Sequence, residues 1–153
     1  MVFCDFYPAT DEDGTGKRAD FESLREAIRL SQNHAKSHSD LANALTKSGR
    51  LDEAQLENET ALRLAPNDGL ILCAAAETEK MRGRFDEAIA LCEKAVEANP
   101  RVARFRFQLG INLLELKHDP DRAIRSFRAA IEIDPRTATG HFLIGNAWMA
   151  KGR

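Results

Sequence analysis

Apolar residues fall at helical spacing through the segment 83–100, GRFDEAIALCEKAVEANP. The spacing predicts an amphipathic helix whose apolar face carries Ala88, Ile89, Leu91, Cys92, Ala95 and Val96. Asp86 and Glu87 place negative charge in the first turn, where it complements the helix dipole, and Pro100 ends the helix. The segment therefore reads as one helix with a defined start and stop.

This helix is one copy of a repeated element. Similar segments lie upstream and downstream of it, at 49–66 and 119–135. Pro66 and Pro100 are 34 residues apart, whereas Ala95 and Ala130 are 35 apart, so we expect one extra residue in the last repeat, around 117–120. A fixed period in this range indicates a repeat protein.

An earlier helix precedes each of these three elements, beginning near Ala35, Gly69 and Ala103, and a fourth copy of this earlier helix begins near Ala138. Each contains an apolar residue followed by Ala or Gly at the same position, in the pairs Leu41-Ala42, Ala75-Ala76, Leu109-Gly110 and Ile144-Gly145. A small side chain there lets two helix backbones approach closely. Because each helix pair can bury its apolar face only against its neighbours, we predict an all-α solenoid of antiparallel helix pairs, with about eight helices.

The pattern resembles that of the tetratricopeptide repeat family over about residues 20–153. That family has a large residue, Leu-Gly and an aromatic residue in the first helix, and Ala, an aromatic residue, Ala and Pro in the second. The third repeat matches these positions with Leu109, Gly110, Ala123, Phe127, Ala130 and Pro135. The resemblance implies a right-handed superhelical solenoid. Departures at His38, Glu79 and Asn58 suggest looser packing in the first two repeats.

The repeat register divides the chain into a tail and an array. We expect residues 1–18 to form a partly ordered tail, because they contain Pro and Gly at positions that oppose a continuous helix. The array then runs as a half repeat, three full repeats and a last half repeat, at 19–34, 35–68, 69–102, 103–137 and 138–153. The last helix carries Phe142, Ile144 and Trp148 with no helix after it. We therefore expect either a piece of a longer chain or self-association through this end.

Composition and charge narrow the class of protein. Hydrophobic residues make up 43% and charged residues 30% of the chain, and the formal net charge is −2. This balance gives no indication of nucleic-acid or membrane binding, and no segment approaches the roughly 20 apolar residues of a membrane span. The three cysteines, Cys4, Cys73 and Cys92, show no C-x-x-C spacing. We interpret them as reduced thiols and expect a cytoplasmic protein.

A motif in the tail resembles an EF-hand calcium loop. Its calcium ligands would be Asp11, Asp13, Thr15, Lys17 and Glu22. Gly16 would make the sharp turn, but Arg18 stands where that family has an aliphatic residue and Pro8 opposes an incoming helix. An acidic, glycine-rich linker is the simpler interpretation, and the sequence leaves both open.

Catalytic motifs are missing from the sequence. It contains no phosphate-binding glycine loop, no G-x-S-x-G and no Cys/His cluster at metal-ligand spacing. His34 and His38 lie one helical turn apart, but no third ligand accompanies them and zinc sites use three or four. We expect a protein that is not an enzyme and that holds no metal and no cofactor.

Because the sequence shows no catalytic motif, we expect the function to come from a surface that binds other molecules. In the tetratricopeptide repeat family the concave wall, formed by the first helix of each pair, binds peptides. Carried over to this chain, the residues lining the groove are Lys36, Ser39, Asn43, Lys47, Leu70, Cys73, Glu77, Lys80, Arg104, Phe107, Gln108, Ile111, Thr139, Phe142 and Asn146.

Three kinds of side chain would give this wall its binding chemistry. Amides that both donate and accept hydrogen bonds are those of Asn43, Gln108 and Asn146. An apolar floor would come from Phe107, Ile111 and Phe142, and positive charge from Lys36, Lys47 and Arg104. We expect a scaffold that binds a peptide segment of a partner protein. The alternative is a wall that only keeps the protein soluble, with both phenylalanines packed between helices.

Some members of the family grip the C-terminal carboxylate of heat-shock chaperones with a set of Lys, Asn and Arg residues. Asn43 and Arg104 fit that set, but Ser39, Ala74 and Gln108 do not, which argues against such a partner. Two further hypotheses stay open. One is a structural module that self-assembles through the open C-terminal end, and the other is the regulatory part of a larger enzyme.

Overall fold

The computed structural model describes residues 15–30 and 34–152, with the backbone alone for 15–20. These residues form eight α-helices and no strand: α1 (Thr15–Leu30), α2 (Ala35–Lys47), α3 (Leu51–Leu64), α4 (Gly69–Met81), α5 (Phe85–Ala98), α6 (Ala103–Lys117), α7 (Pro120–Ile133) and α8 (Ala138–Lys151). None of these eight helices is both long and apolar enough to cross a bilayer. The predicted all-α fold of antiparallel helix pairs is confirmed.

The contacts between helices define an inner and an outer wall. α2 packs on α3, α4 on α5 and α6 on α7, and α8 packs on α7. The first helices of successive pairs also touch, α2 with α4, α4 with α6 and α6 with α8. Within the described chain, the backbones of the second helices α3, α5 and α7 do not approach one another closely, and Arg122 of α7 reaches Glu93 of α5 through a side-chain ion pair. The array therefore curves, with the first helices on its inner side and the second helices on its outer side.

The two helices of the third repeat interlock at a ring and a glycine. Phe127 of α7 is completely buried, and a Cβ atom built on Gly110 of α6 would lie 2.4 Å from its ring. Each outer helix also buries two alanines completely, in the pairs Ala54 and Ala61, Ala88 and Ala95, and Ala123 and Ala130. These small side chains let the backbones of each pair approach closely, as the 34-residue spacing predicts.

Polar groups fill the corresponding place in the first repeat. Asn58 stands where the third repeat has Phe127, and it is buried. Its Nδ2 donates a hydrogen bond to Thr78 Oγ1 at 2.8 Å, and Thr78 Oγ1 lies 2.7 Å from Thr46 Oγ1. The Oδ1 atom of Asn58 has no hydrogen-bond partner among the described residues. Here the contact between the first two full repeats rests on hydrogen bonds in place of a ring.

The turns between paired helices need a left-handed residue. Gly49 and Gly83 provide it with φ angles of 78° and 77°, which cost glycine little. In the third repeat α6 runs two residues longer than α2 and α4, and His118 takes the left-handed conformation with φ 51°. Asp119 then caps α7 by accepting a hydrogen bond from the backbone N–H of Arg122 at 3.0 Å. The extra residue predicted around 117–120 lies in this turn.

Ion pairs join successive repeats along one edge of the array. They are Asp52–Arg82, Asp86–Lys117 and Asp121–Lys151. In each pair the carboxylate lies in the first turn of an outer helix and the cation lies at the C-terminal end of the next inner helix. Both positions also suit the helix dipole. We call this series the ion-pair ladder; each exposed pair contributes at most about 1 kcal/mol.

The structure describes only some of the N-terminal residues for which the sequence made predictions. Residues 1–14, with Asp11 and Asp13, and the turn residues 31–33 lie outside it. α1 begins at Thr15, earlier than the predicted start of the half repeat at residue 19. The calcium-loop hypothesis requires Thr15 and the residues after it to form a loop, but they are helical. The described part of the motif therefore does not have the conformation of an EF-hand loop.

Alanine at Gly110 and at Gly145 should change the free energy of unfolding in opposite directions. At Gly110 the new Cβ meets the buried Phe127 ring at 2.4 Å, and the required shift should cost about 1–3 kcal/mol. At Gly145 nothing lies within 4 Å of the new Cβ, so better helix propensity should add up to about 1 kcal/mol. Urea unfolding followed by circular dichroism measures both. A Gly110→Ala variant as stable as the wild type would contradict the interlock.

Candidate interaction groove

The helices α2, α4, α6 and α8 carry the fifteen residues predicted to line a groove, and we call this predicted surface the inner groove. Six of these residues are exposed: Lys36, Lys47, Leu70, Arg104, Thr139 and Phe142. Eight are half-buried: Asn43, Cys73, Glu77, Lys80, Phe107, Gln108, Ile111 and Asn146. Ser39 is buried. Most of the predicted set therefore faces solvent at least in part.

Ser39 has to be removed from the predicted set. Its exposed fraction is 5%, so its hydroxyl is closed to a ligand. α2 packs against α1, α3 and α4 together, which covers more of its surface than the neighbours of α8 cover. The equivalent residues of later repeats are Cys73 and Phe107, which are half-buried, and Phe142, which is exposed. The inner groove thus becomes more open toward its C-terminal end.

Three cations of the inner groove differ in whether an acidic side chain pairs with them. Lys36 pairs with Asp40 one turn further along α2, with Nζ and Oδ2 2.9 Å apart. Lys80 likewise pairs with Glu77, with Nζ and Oε2 2.7 Å apart. Arg104 is exposed and forms no ion pair with any residue that the structure describes. Of these three cations, Arg104 is therefore the one whose charge is open to an acidic ligand.

The predicted amide donors differ in how freely they can bind a ligand. Gln108 Nε2 donates a hydrogen bond to Asn112 Oδ1 at 3.4 Å, and Asn112 is buried. This contact draws the Gln108 amide toward the protein interior. Asn43 and Asn146 are half-buried on the inner face of α2 and α8. These two amides fit the predicted role better than Gln108 does.

The predicted apolar floor divides into a packed part and an open part. Phe107 and Ile111 pack against the core cluster that contains Phe127, and the Phe107 and Phe127 ring centroids are 6.3 Å apart. Phe142 is 66% exposed. The alternative that both phenylalanines pack between helices therefore describes Phe107 but not Phe142.

Two apolar residues of the inner groove were missed by the sequence analysis. Met149 is 62% exposed and lies seven residues after Phe142, which places both on one face of α8. Leu114 is half-buried on α6. Both could have been found from the repeat spacing, because Leu114 is 34 residues and Met149 is 69 residues after the predicted Lys80.

The histidines considered as metal ligands bind separate partners. His34 Nδ1 lies 2.7 Å from Ser37 Oγ, and His38 Nδ1 lies 2.7 Å from Glu57 Oε2. Within the described residues, no group of three or more His, Cys, Asp and Glu side chains is placed to hold a metal ion. What this part of the chain offers a ligand is the inner groove with its apolar, amide and cationic side chains.

Comparison with protein families gives a match over the second half of the chain. A sequence model described as tetratricopeptide repeat matches residues 73–118 and 112–153. These two matches together cover more than half of the chain.

Curated relatives match most of this chain but a small part of their own. Anaphase-promoting complex subunit 3 of Schizosaccharomyces pombe is 29% identical over 124 residues, which is 80% of this chain and 18% of that protein. Hsc70-interacting proteins 1 and 2 of Drosophila melanogaster are each 33% identical over 100 residues, which is 65% of this chain and 24% of each protein. The chain spans less than a quarter of the length of these relatives.

Solved structures share the fold. A crystal structure of MamA has a TM-score of 0.72 at 19% identity and covers 95% of this chain and 87% of that one. A second MamA structure, from AMB-1, has a TM-score of 0.71 at 26% identity and covers 92% and 83%. The first tetratricopeptide domain of Spaghetti (RPAP3), bound to the HSP90 peptide SRMEEVD, has a TM-score of 0.68 at 17% identity and covers 78% and 94%.

Alanine substitutions at Phe107 and at Phe142 should change the free energy of unfolding by different amounts, because one ring is packed and the other is exposed. Phe107→Ala removes a ring that packs against Phe127 and should lower the free energy of unfolding by roughly 2 kcal/mol, below the 3–5 kcal/mol of a fully buried ring. Phe142→Ala removes a largely exposed ring and should change it by less than about 0.5 kcal/mol. Urea denaturation measures both. Equal losses in the two variants would contradict the division of the apolar floor.

Proposed function

This chain belongs to the tetratricopeptide repeat family, and from that premise we propose that it is a protein-interaction scaffold whose inner groove binds a peptide segment of a partner. The observation that carries the proposal is the apolar surface left open on α8. Phe142 and Met149 lie on one face with exposed fractions of 66% and 62%. Exposed apolar patches on soluble proteins mark interaction sites, because covering them removes apolar area from water.

The charges beside this surface suggest the chemistry of the peptide. Arg104 lies on α6, the helix that contacts α8, and its charge is not neutralised by an ion pair within the described chain. Asn146 stands on α8 between Phe142 and Met149 in sequence and can donate to and accept from an extended backbone. We propose a segment that places a large apolar residue on α8 and an acidic residue near Arg104. In this role the protein contributes contacts and geometry.

Chaperone tails are the obvious alternative ligand. The RPAP3 domain of similar fold is bound to the HSP90 peptide SRMEEVD, and two relatives are named for their interaction with Hsc70. The positions where this chain departs from the carboxylate-binding set weigh against such a ligand. Ser39 and Ala74 are buried, and the Gln108 amide is bonded to Asn112. We therefore propose a partner other than a chaperone C-terminus.

Selection of peptides tests the inner groove directly. A phage-displayed random peptide library is panned on the full chain, and fluorescence anisotropy then measures the affinity of the enriched peptides and of SRMEEVD. We expect Phe142→Ala to weaken the enriched peptides about tenfold, since buried aromatic anchors carry much of the binding energy. Arg104→Ala should weaken those with an acidic residue by a smaller factor that shrinks as salt rises. SRMEEVD should not bind.

Matched controls come from the outer helices. Leu56 of α3 is 63% exposed and Arg125 of α7 is exposed, so Leu56→Ala and Arg125→Ala remove similar side chains from the other wall. Both variants should bind the peptides as the wild type does. Enriched peptides that ignore Phe142→Ala and Arg104→Ala, or a library that yields no enrichment, would refute binding in the inner groove. Tight binding of SRMEEVD would overturn the exclusion of chaperone tails.

A second candidate function is self-association through the end of the array. We propose it because Gly145 of α8 has nothing within 4 Å of its Cβ position, whereas the equivalent Gly110 holds the Phe127 ring. Trp148 lies three residues later and is 49% exposed, and Ile144 beside it is half-buried. Ile144 and Trp148 lie on a face of α8 distinct from the one that carries Phe142, and Gly145 lies between the two faces. We propose that an apolar side chain of another copy packs against Gly145 and Trp148.

The oligomeric state separates the two faces of α8. If copies associate through the end of the array, the mass from light scattering should rise with protein concentration. Trp148→Glu should then hold the protein at the monomer mass, whereas Phe142→Glu should leave the association unchanged. A strict monomer at millimolar concentration would exclude self-association through this face, whatever the inner groove binds.

A further inference from the structure

Two cysteines lie on the paired helices α4 and α5, one on each helix. Cys73 is half-buried on the inner face of α4, and Cys92 is completely buried on α5. The third repeat has Phe107 and Phe127 at the same two positions, and their rings pack against each other. In the second repeat the two thiols occupy these paired positions, and each sulfur lies close enough to influence the ionisation of the other.

The surroundings of the two thiols make them unequal. The Cys92 thiol lies close enough to the Cys73 sulfur to stabilise its thiolate, which lowers the pKa of Cys73 below its ordinary value against the opposing effect of burial. Arg104 lies near enough to lower it further. The same proximity, together with burial, raises the pKa of Cys92 far above its ordinary value. Cys73 is thus the thiol that ionises, and it is also the one that solvent reaches.

A buried amide holds the second sulfur in place. Asn112 of α6 donates a hydrogen bond from Nδ2 to Cys92 Sγ at 3.3 Å, and Asn112 is 1% exposed. The contact helps to hold the Cys92 side chain in place. Because Cys92 is completely buried and Cys73 is only half-buried, a reagent from solvent reaches Cys73 first.

We propose that Cys73 and Cys92 form a dithiol–disulfide couple that is oxidised by a hydroperoxide entering from the inner groove. The Cys73 thiolate attacks one peroxide oxygen, the O–O bond breaks, and the departing hydroxide takes up a proton and leaves as water. Cys73 is now a neutral sulfenic acid, so its negative charge no longer holds the proton on Cys92. The Cys92 sulfur attacks the Cys73 sulfur, the S–O bond breaks, and the hydroxyl leaves as water with the Cys92 proton. Two thiols are oxidised and one peroxide is reduced to two waters.

Peptide mapping of the full chain tests the couple. The Cys4→Ser variant removes the third thiol; it is treated with hydrogen peroxide, blocked with N-ethylmaleimide and digested with trypsin. We expect a cross-linked species that joins peptides 64–80 and 85–94 and that dithiothreitol separates. Intact mass should fall by two hydrogen atoms, and a non-reducing gel should show a monomer. Arg104→Gln should slow the alkylation of Cys73 by iodoacetamide at neutral pH severalfold, because it removes a charge that favours the thiolate.

Two single variants provide the controls. Cys73→Ser places there the residue that the first repeat has at the same position, so it should fold, and its Cys92 should remain a thiol after peroxide. Cys92→Ala removes the second thiol, so Cys73 should advance to sulfinic acid. The proposal fails if N-ethylmaleimide labels both cysteines of the Cys4→Ser protein after oxidation. It also fails if the cross-link joins two chains, or if Cys73 reaches sulfinic acid as fast with Cys92 as without it.

Discussion

The close approach of the two helices in each pair is the constraint on which the whole array depends. It requires a very small side chain wherever one backbone passes another. The completely buried alanines of α3, α5 and α7 and the glycine under Phe127 meet this requirement. Because a solenoid has no central core, the same requirement returns with every repeat. The 34-residue period in the sequence arises because small residues are required at the same positions of each repeat.

The binding surface follows from the way these pairs stack. The backbones of the inner helices approach one another closely and those of the outer helices do not, so the array curves and leaves one continuous inner wall. The character of that wall changes along its length. At its N-terminal end the cation of Lys36 is neutralised and Ser39 is covered, whereas at the C-terminal end Phe142 and Met149 of α8 are exposed. One fold thus offers a closed, polar end and an open, apolar end to a ligand.

The fold could be predicted from the sequence because its decisive residues recur at constant spacing. The site was less accessible, because spacing tells which face of a helix a residue occupies but not how far neighbouring helices cover it. Ser39 and Phe142 hold the same repeat position, yet one is buried and the other is exposed. Lys36 and Arg104 are likewise equivalent, but only Lys36 has an acidic residue one turn away, and that residue neutralises it. These differences in exposure and ion pairing depend on the particular residues that surround each position. A repeat pattern shows only what equivalent positions share, so it does not reveal them. The start of α1 escaped prediction for the same reason, since no repeat precedes it for comparison.

The ion-pair ladder has a consequence for how such an array can change in length. The second and third full repeats each contribute one carboxylate to the repeat that follows and one cation to the repeat that precedes, as Asp86 and Arg82 do in the second. The edge therefore gains equal amounts of both charges with every unit. Duplication or loss of a whole unit would leave the edge electrically neutral and every internal pair complete. Evolution can thus lengthen or shorten the protein by recombination between repeats without building up repulsion along its side.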